Sequence, residues 1–318
     1  MRGFNLKMTP ERSRNQEIHL EELLPFEVSL FIKREDELHK HVSGNKFRKL
    51  KYNLLDAIDK GYNTLLTFGG AYSNHIAALA CAGRLYGFKT IGIIRGDELE
   101  GREDLIQSNS TLSFAKEHGM RLEFISRELY RDKSDPKLQG VLKERFGDFY
   151  LVPEGGTNGL AIKGCEEILT EQDAEFDYIC VSVGTGGTIS GLINSAGEHQ
   201  QVLGFQSLKG DFLAAEIAKH AIPRHNWSLI KEYHFGGYAK VNENLISFIN
   251  RFYRSTTIPL DPVYTGKMMY GLVDLIKNNH FEKKSRILAI HTGGLQGVEG
   301  MNRKLAKKKM SLICSEIR

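Results

Sequence analysis

The chain has 318 residues, 41% of them hydrophobic, which is enough for a large core and for about two domains. Its 43 basic and 39 acidic residues leave a formal net charge of +4, so the composition gives no indication of nucleic acid binding. No segment approaches the roughly 18 apolar residues of a membrane span, and residues 1–17 contain no apolar run of the signal-peptide kind. We therefore expect a cytoplasmic protein with neither a membrane nor a nucleic acid partner.

Short apolar runs alternate with longer amphipathic stretches from about residue 50 onward, and glycines separate them. This alternation is typical of βαβ units and predicts the α/β fold class. Because the runs are apolar on both faces, we expect parallel sheets that helices cover on two sides. The runs predicted as buried parallel strands span 64–68, 90–94, 121–125, 178–182, 202–206 and 286–290.

Three of the amphipathic stretches are predicted as helices, because each is followed by a glycine of the kind that ends a helix. They span 46–60, 74–86 and 102–118. The charged and irregular segment 127–150 is interpreted as a surface loop with a short helix. The lysines at 307–309 are interpreted as a solvated helix end.

The four cysteines are far apart and form no C-x-x-C pair. Three of them lie in apolar helix or strand patterns, so we interpret them as small buried hydrophobic residues in a reducing compartment. No metal site is predicted. The cysteines are Cys81, Cys165, Cys180 and Cys314.

Three predicted strands end in glycine-rich turns with small polar residues, at 68–75, 183–188 and 290–294. Ligands of open parallel sheets bind at the carboxyl ends of the strands, and a turn that leads into a helix can hold a phosphate. Two common nucleotide-binding motifs are incomplete in this sequence. Ile189 occupies the position of the third glycine of a dinucleotide fingerprint, and the Gly-Lys pair at 266–267 lacks the earlier glycine and the following Ser or Thr of a P-loop. A phosphate-containing ligand other than a dinucleotide or triphosphate is predicted.

The segment 43–50 is a polar turn that leads into a predicted helix, with Lys46 in its first turn. The positive end of a helix disfavours an ammonium group, so we expect the pKa of Lys46 to be lowered. A neutral amine can attack an aldehyde. Spacing alone also permits, and favours, an ordinary surface lysine.

Five motifs follow one another along the chain: SGNKFRKL at 43–50, GGAYSNH at 69–75, VGTGGT at 183–188, PVYTGK at 262–267 and HTGG at 291–294. In this order they resemble the motifs of one group of pyridoxal-5′-phosphate (PLP) enzymes, which contains D-cysteine desulfhydrases and 1-aminocyclopropane-1-carboxylate (ACC) deaminases. The resemblance covers roughly residues 10 to 300.

The resemblance implies an architecture of two open twisted parallel-sheet subdomains, the tryptophan synthase β-like PLP fold. Residues 1–46 and 155–318 would form the large PLP-binding domain, and residues 47–154 the small domain. The active site would lie between the two domains, and we expect the small domain to close on the substrate. A homodimer is implied as well.

The same resemblance implies that Lys46 carries PLP as a Schiff base and later moves the α-proton of the substrate. Ser73 and Tyr264 would join Lys46 as catalytic residues. Lys49 would contact the phosphate, although it could also be a solvated neighbour one turn along the helix. The phosphate would be held at a helix N-terminus by Thr185, Gly186, Gly187 and Thr188.

Asn74 would bind the 3′-oxygen of PLP, and Ser73 and His75 would hold the substrate carboxylate. Ser73 could also be the N-cap of the next helix. Tyr264 would lie near the ring and the substrate, although it could instead only cap a helix start. Thr292 would be the partner of the pyridine nitrogen, and a hydroxyl there makes the ring a weaker electron sink, which suits β-elimination.

ACC deaminases typically have Leu at the position of Thr292 and Glu at the position of Thr265. Both threonines therefore favour the desulfhydrases within the group. The predicted reaction converts D-cysteine into pyruvate, ammonia and hydrogen sulfide, and the alternative converts ACC into 2-oxobutanoate and ammonia. Two residues depart from both subgroups: Tyr72 precedes Ser73, and Ala77 replaces an arginine. Two other classes of protein are less favoured than these two enzymes: a PLP-binding protein without turnover and a nicotinamide-dependent oxidoreductase.

Overall fold

The computed structural model describes residues 12–314, whose strands form two sheets. The strands β1 to β10 span, in chain order, Asn15–Ile18, Ser29–Lys33, Thr64–Gly70, Lys89–Arg95, Met120–Ile125, Tyr150–Val152, Tyr178–Val183, Gln201–Gln206, Trp227–Ile230 and Arg286–Ile290. One sheet has six strands in the order β1-β2-β10-β7-β8-β9, and the other has four in the order β5-β4-β3-β6.

All six strands predicted from the sequence are present, and they pair with one another in parallel wherever they are adjacent. The predicted parallel sheets are confirmed, with one addition at an edge, where β1 pairs with β2 in the antiparallel direction. The sequence of β1 is NQEI, in which only Ile18 is buried. A strand this polar has no apolar run by which it could be predicted.

The helices α1 to α12 span Asn45–Asp59, Asn74–Tyr86, Glu103–Ser108, Ser110–Glu117, Arg127–Arg131, Pro136–Phe146, Gly159–Glu166, Gly187–Ser195, Leu213–Ala218, Glu243–Thr256, Thr265–Lys277 and Gly297–Lys307. The first two agree closely with the prediction. The single helix predicted over 102–118 is wrong, because Asn109 has extended backbone angles and divides it into α3 and α4. The Asn109 side chain accepts hydrogen bonds from the N–H groups of Thr111 and Leu112, which start a new helix.

The segment 127–150 is more regular than predicted, since it contains α5, α6 and the start of β6. Asp135 caps α6 with a hydrogen bond from the N–H of Lys137, and Pro136 occupies the first helical position. The same Asp-Pro pair that indicated a loop therefore begins a helix.

Helices bury both faces of the six-stranded sheet, as the apolar runs predicted. Alternate residues of β7 belong to different hydrophobic clusters: Ile179 and Val181 pack with α8 on one face, and Cys180 packs with α10 and α11 on the other. Cys81 and Cys165 are also buried, whereas Cys314 is exposed. The lysines at 307–309 are exposed at the end of α12, as predicted.

Within residues 12–314, no helix is long and apolar enough to cross a membrane. The prediction that residues 1–17 lack a signal peptide falls largely outside the described residues, which begin at 12. Over the same described range, no group of three or more His, Cys, Asp or Glu side chains could hold a metal ion.

Candidate active site

A cavity of about 550 Å³ lies where the carboxyl ends of strands from both sheets meet. Gly70 and Arg95 reach it from β3 and β4, while Val183 and Thr292 reach it from the ends of β7 and β10. The volume lies in the usual range for a site that binds a small ligand, roughly 300–1,000 Å³. All the residues predicted for the site line this one cavity: Lys46, Lys49, Ser73, Asn74, His75, Thr185, Gly186, Gly187, Thr188, Tyr264 and Thr292.

Lys46 is the second residue of α1, and a close contact between two turns fixes the start of that helix. Gly44, with a φ of 61°, packs so tightly that a Cβ atom there would lie 2.0 Å from the carbonyl oxygen of Thr292. The Lys46 amine donates a hydrogen bond to Asn45 Oδ1 at 3.1 Å. Burial, and secondly the charge of Lys49, lower the pKa of Lys46 to about 7. The lowered pKa agrees with expectation, and burial rather than the helix terminus is its main cause.

Lys49 lies one helical turn beyond Lys46 and is only 2% exposed, so its interpretation as a solvated neighbour is wrong. Its amine donates hydrogen bonds to Thr157 Oγ1 at 3.0 Å and to the carbonyl oxygen of Gly155 at 3.2 Å. It also faces the 185–188 turn, because a Cβ atom on Gly187 would lie 3.2 Å from it. Lys49 therefore adds a cation beside that turn.

The turn at 185–188 begins α8 and has little room for side chains. Gly186 is the N-cap residue with a φ of 84°, and a Cβ atom on Gly187 would lie 2.9 Å from the side chain of Thr157. The first N–H groups of a helix have no partner within it, and they favour an anion. Together with the amine of Lys49, this backbone forms a site suited to a phosphate group.

Ser73 and Asn74 begin α2 on the opposite wall of the cavity. Ser73 is the N-cap residue, and its hydroxyl accepts a hydrogen bond from the N–H of Ile76. Capping is therefore confirmed as one role of Ser73, and its position in the cavity lining allows a second. The Asn74 amide approaches the turn after β10 so closely that a Cβ atom on Gly294, whose φ is 95°, would lie 3.0 Å from Nδ2.

His75 is 1% exposed and lies beneath these residues. Its Nε2 atom is 2.9 Å from Thr67 Oγ1, whereas its buried Nδ1 atom has no hydrogen-bond partner among the described residues. Burial, followed by the charges of Lys46 and Lys49, holds the pKa of His75 well below its usual value, so the ring is neutral. One ring nitrogen of His75 is therefore engaged with Thr67, and its contact with a substrate carboxylate stays a prediction.

Thr292 and Ser182 bring two hydroxyl groups together at the ends of β10 and β7. Their oxygen atoms are 3.3 Å apart, and both side chains are buried. Of the described residues that line the cavity, Glu154 is the one carboxylate. A ligand atom at this position would therefore meet hydroxyl groups and not a carboxylate.

Tyr264 lies against Gly184, where a Cβ atom would be 3.1 Å from its ring. Its side chain does not cap α11. Asp261 does so, because its carboxylate accepts hydrogen bonds of 2.8 Å from the N–H groups of Val263 and Tyr264. The Tyr264 hydroxyl hydrogen-bonds to Tyr238, and the ring centroids are 6.3 Å apart. Burial, and secondly Tyr238, raise the pKa of Tyr264 well above its usual value, so the phenol stays protonated.

Several side chains that line the cavity were not predicted from the sequence, among them Arg95, Glu154, Ser182 and Tyr238. Arg95 and Ser182 are at the carboxyl ends of strands, and Glu154 follows β6 after one residue. The rule that ligands bind at strand ends could have found these three. Tyr238 lies in an irregular loop after two glycines, where no such pattern exists.

The fold and the site together define an α/β protein in which a lysine amine of lowered pKa shares a cleft with a helix terminus suited to a phosphate group. The chain belongs to the family described as pyridoxal-phosphate dependent enzymes, whose model matches residues 14–293. PLP is therefore the cofactor, and the nicotinamide-dependent alternative is wrong. The residues fit PLP, because the amine of Lys46 and the 185–188 turn with Lys49, which is suited to a phosphate, line one cavity.

Three comparisons with known proteins indicate which members of this family the chain is similar to. A mitochondrial bifunctional D-cysteine desulfhydrase/1-aminocyclopropane-1-carboxylate deaminase from Arabidopsis thaliana is 32% identical, over 86% of this chain and 74% of the relative. A 1-aminocyclopropane-1-carboxylate deaminase from Ralstonia pickettii is 28% identical, over 84% of this chain and 87% of the relative. The crystal structure of an ACC deaminase homologue superposes with a TM-score of 0.79 at 27% identity, over 93% of both chains. The predicted fold and enzyme group are confirmed.

Proposed function

We propose that the protein catalyses the α,β-elimination of a small amino acid, with D-cysteine as the substrate. Elimination releases hydrogen sulfide and aminoacrylate, and water hydrolyses the aminoacrylate to pyruvate and ammonia. The observation that carries this proposal is the pair of hydroxyls of Thr292 and Ser182, 3.3 Å apart. By resemblance, Thr292 is the partner of the pyridine nitrogen. A hydroxyl partner leaves that nitrogen less protonated than a carboxylate would, which suits a reaction whose leaving group removes the electrons.

The residues on each side of the cavity have separate roles in this reaction. Lys46 anchors the cofactor through its amine, and Asn74 binds the cofactor's 3′-oxygen. Bound PLP supplies an electron sink for the negative charge that develops at Cα of the substrate. The phosphate is held by Lys49 together with the turn of Thr185, Gly186, Gly187 and Thr188.

The chain's own groups then move two protons. The amine of Lys46 removes the proton from Cα, for which it must be neutral, and its pKa of about 7 permits this at neutral pH. Tyr264 donates a proton to the departing sulfur, since its raised pKa keeps the phenol protonated. Ser73 and the first N–H groups of α2 hold the carboxylate, which orients the Cα–H bond toward Lys46.

ACC deamination is the second candidate, and the name of the Ralstonia pickettii relative favours it. ACC has no hydrogen at Cα, so ring opening needs additional proton or nucleophile chemistry. At Thr265, where ACC deaminases typically have glutamate, the hydroxyl is buried and donates to Asp261 Oδ2 at 2.7 Å. Thr265 is not among the residues that line the cavity, and this weighs against the second candidate.

The test is to supply the purified PLP-loaded protein with D-cysteine, L-cysteine, D-serine, β-chloro-D-alanine and ACC, and to identify the 2-oxo acid formed. We expect pyruvate from D-cysteine and β-chloro-D-alanine, and no product from the Lys46→Ala variant. The variant Lys51→Ala is a matched control, because Lys51 is on the same helix but binds Glu167 instead of facing the cavity. Formation of 2-oxobutanoate from ACC, with no reaction of D-cysteine, would reverse the order of the two candidates.

A further inference from the structure

Arg95 is a cation at the mouth of the cavity. It is the last residue of β4. It pairs with Gly70, the last residue of β3, on one side and with Ile125, the last residue of β5, on the other. Its side chain lines the cavity and remains exposed to solvent. A molecule that enters the cavity can therefore reach its guanidinium group.

The guanidinium of Arg95 is supported by an aromatic ring. It lies over Tyr130 at 5.5 Å from the ring centroid, a distance typical of a cation–π contact. Tyr130 is only 3% exposed, and its hydroxyl donates to Glu154 Oε1 at 2.6 Å. A Cβ atom on Gly70 would lie 3.7 Å from Arg95 Nη2, so the glycine leaves space beside the guanidinium. The guanidinium thus rests on one buried ring, that of Tyr130.

No negative group in residues 12–314 neutralises this charge. Within that range the guanidinium of Arg95 forms no ion pair and no hydrogen bond, and the groups near it are the phenols of Tyr130 and Tyr238. Glu154, the carboxylate of the cavity wall, is already engaged by Tyr130 and by Lys133 at 3.1 Å. By contrast, Arg34 and Arg48 are each paired with a carboxylate at less than 3 Å.

We propose that Arg95 binds an anionic group of the substrate. An arginine fork recognises carboxylates and other oxyanions with two parallel hydrogen bonds, and every amino acid substrate carries at least one such group. The inference rests on the proposed function only in that the cavity binds an amino acid, whichever reaction follows. The anion is either the α-carboxylate, which Arg95 would then share with Ser73 and the first N–H groups of α2, or a second acidic group on the β-substituent. Both place the amino acid between Arg95 and Lys46.

The test compares the variants Arg95→Gln and Lys133→Gln in the PLP-loaded protein. Both remove a cation beside the Tyr130 ring, since Lys133 Nζ lies 5.2 Å from that ring, but Lys133 is not among the residues that line the cavity. The dissociation constants of D-alanine and D-cysteate are measured from the change in the cofactor's absorbance, and the corresponding L-amino acids are included. Equal thermal denaturation midpoints show that the variants are folded.

We expect Arg95→Gln to raise at least one dissociation constant by about tenfold or more, as the loss of a charged hydrogen bond does, and Lys133→Gln to leave both unchanged. An equal rise for D-alanine and D-cysteate assigns Arg95 to the α-carboxylate, and a rise for D-cysteate alone assigns it to the β-substituent. Unchanged binding in Arg95→Gln, or no binding of either amino acid to the unaltered protein, would overturn the inference. If binding depends on Arg95 but D-cysteine yields no pyruvate, only the proposed function fails.

Discussion

Lys46 lies among neighbours that disfavour a positive charge on its amine. Water is largely excluded from the amine, and Lys49 brings a second positive charge nearby. Gly44 packs against the backbone of Thr292 two residues before Lys46, and this contact fixes where the lysine side chain starts. A substitution at Gly44 would therefore act on the chemistry of the lysine as well as on the fold.

The first prediction concerns the pH at which the protein without cofactor captures PLP. The neutral fraction of the Lys46 amine increases as the pH rises through about 7, whereas an ordinary lysine has a pKa of 10.5. We expect the rate of appearance of the visible absorbance band to rise around pH 7 and to level off within about two units above it. Lys51→Gln should keep the same midpoint, and a rate that still increases tenfold per unit above pH 9 would contradict the prediction.

At the level of residues, the sequence motifs predicted well which side chains line the cavity. They could do so because the side chains of each motif stand next to one another in the chain and at the end of a predicted strand or the start of a predicted helix. Tyr238 could not be predicted in this way, because its contact with Tyr264 depends on how an irregular loop folds over α11. The lowered pKa of Lys46 was predicted, but its main cause required the structure.

Helix α11 fixes the loop that carries Tyr238. Lys267 of this helix is 1% exposed, and its amine donates hydrogen bonds of 2.8 Å to the carbonyl oxygens of His234 and Gly237. Gly237 has a φ of 112°, a conformation that disfavours other residues. The next residue is Tyr238, so Lys267 acts as a positioning residue for the phenol that contacts Tyr264.

The second prediction is that Lys267→Met loosens this loop. Methionine fills a similar volume but donates no hydrogen bond, so the two buried carbonyl oxygens lose their partner, at a cost of about 3 kcal/mol. We expect a lower free energy of unfolding in urea and faster proteolytic cleavage within residues 231–240. The control is Lys277→Met, which removes an exposed ion pair with Glu22 from the same helix. Equal stability and equal cleavage in the two variants would show that Lys267 does not hold the loop.

Element boundaries were predictable where a helix ends at a glycine, as α2 does at Gly87. The break at Asn109 was not, because asparagine inside an amphipathic pattern is compatible with a continuous helix. Only the extended backbone of Asn109 shows that its side chain caps a second helix. Short strands such as β1 and β6 were missed because they lack the length that an apolar run needs to stand out.

We propose that residues 1–46 and 155–318 form one domain and residues 47–154 another. All strands of the four-stranded sheet lie inside 47–154, and all strands of the six-stranded sheet lie outside it. The cavity lies between the carboxyl ends of the two sheets. Relative movement of the domains on substrate binding would therefore change the cavity itself.

Tyr72 contacts helix α12 beside the cavity. It follows β3 and lines the cavity, and its ring would lie 3.2 Å from a Cβ atom on Gly300 of α12. Lys304 of the same helix stands over the ring at 4.2 Å from its centroid. Because Gly300 has no side chain, the ring of Tyr72 packs between the backbone of α12 and the amine of Lys304.

The third prediction is that Tyr72→Ala widens the range of substrates. Without the ring, the cavity should accept a larger β-substituent, and kcat/KM for S-benzyl-D-cysteine relative to D-cysteine should rise about tenfold. Tyr72→Phe keeps the ring and should keep the selectivity, and Lys304→Gln should have a smaller effect than Tyr72→Ala. An unchanged ratio in Tyr72→Ala would mean that Tyr72 does not limit the substrate.

The central claim is that the cofactor is joined to Lys46, and borohydride reduction followed by peptide mass spectrometry tests it most directly. Reduction makes the linkage between lysine and cofactor permanent, so the labelled peptide identifies the lysine. We predict the label on Lys46, with none on the buried neighbours Lys49 and Lys267. A label on another lysine, or no label after the protein has been supplied with PLP, would contradict the claim.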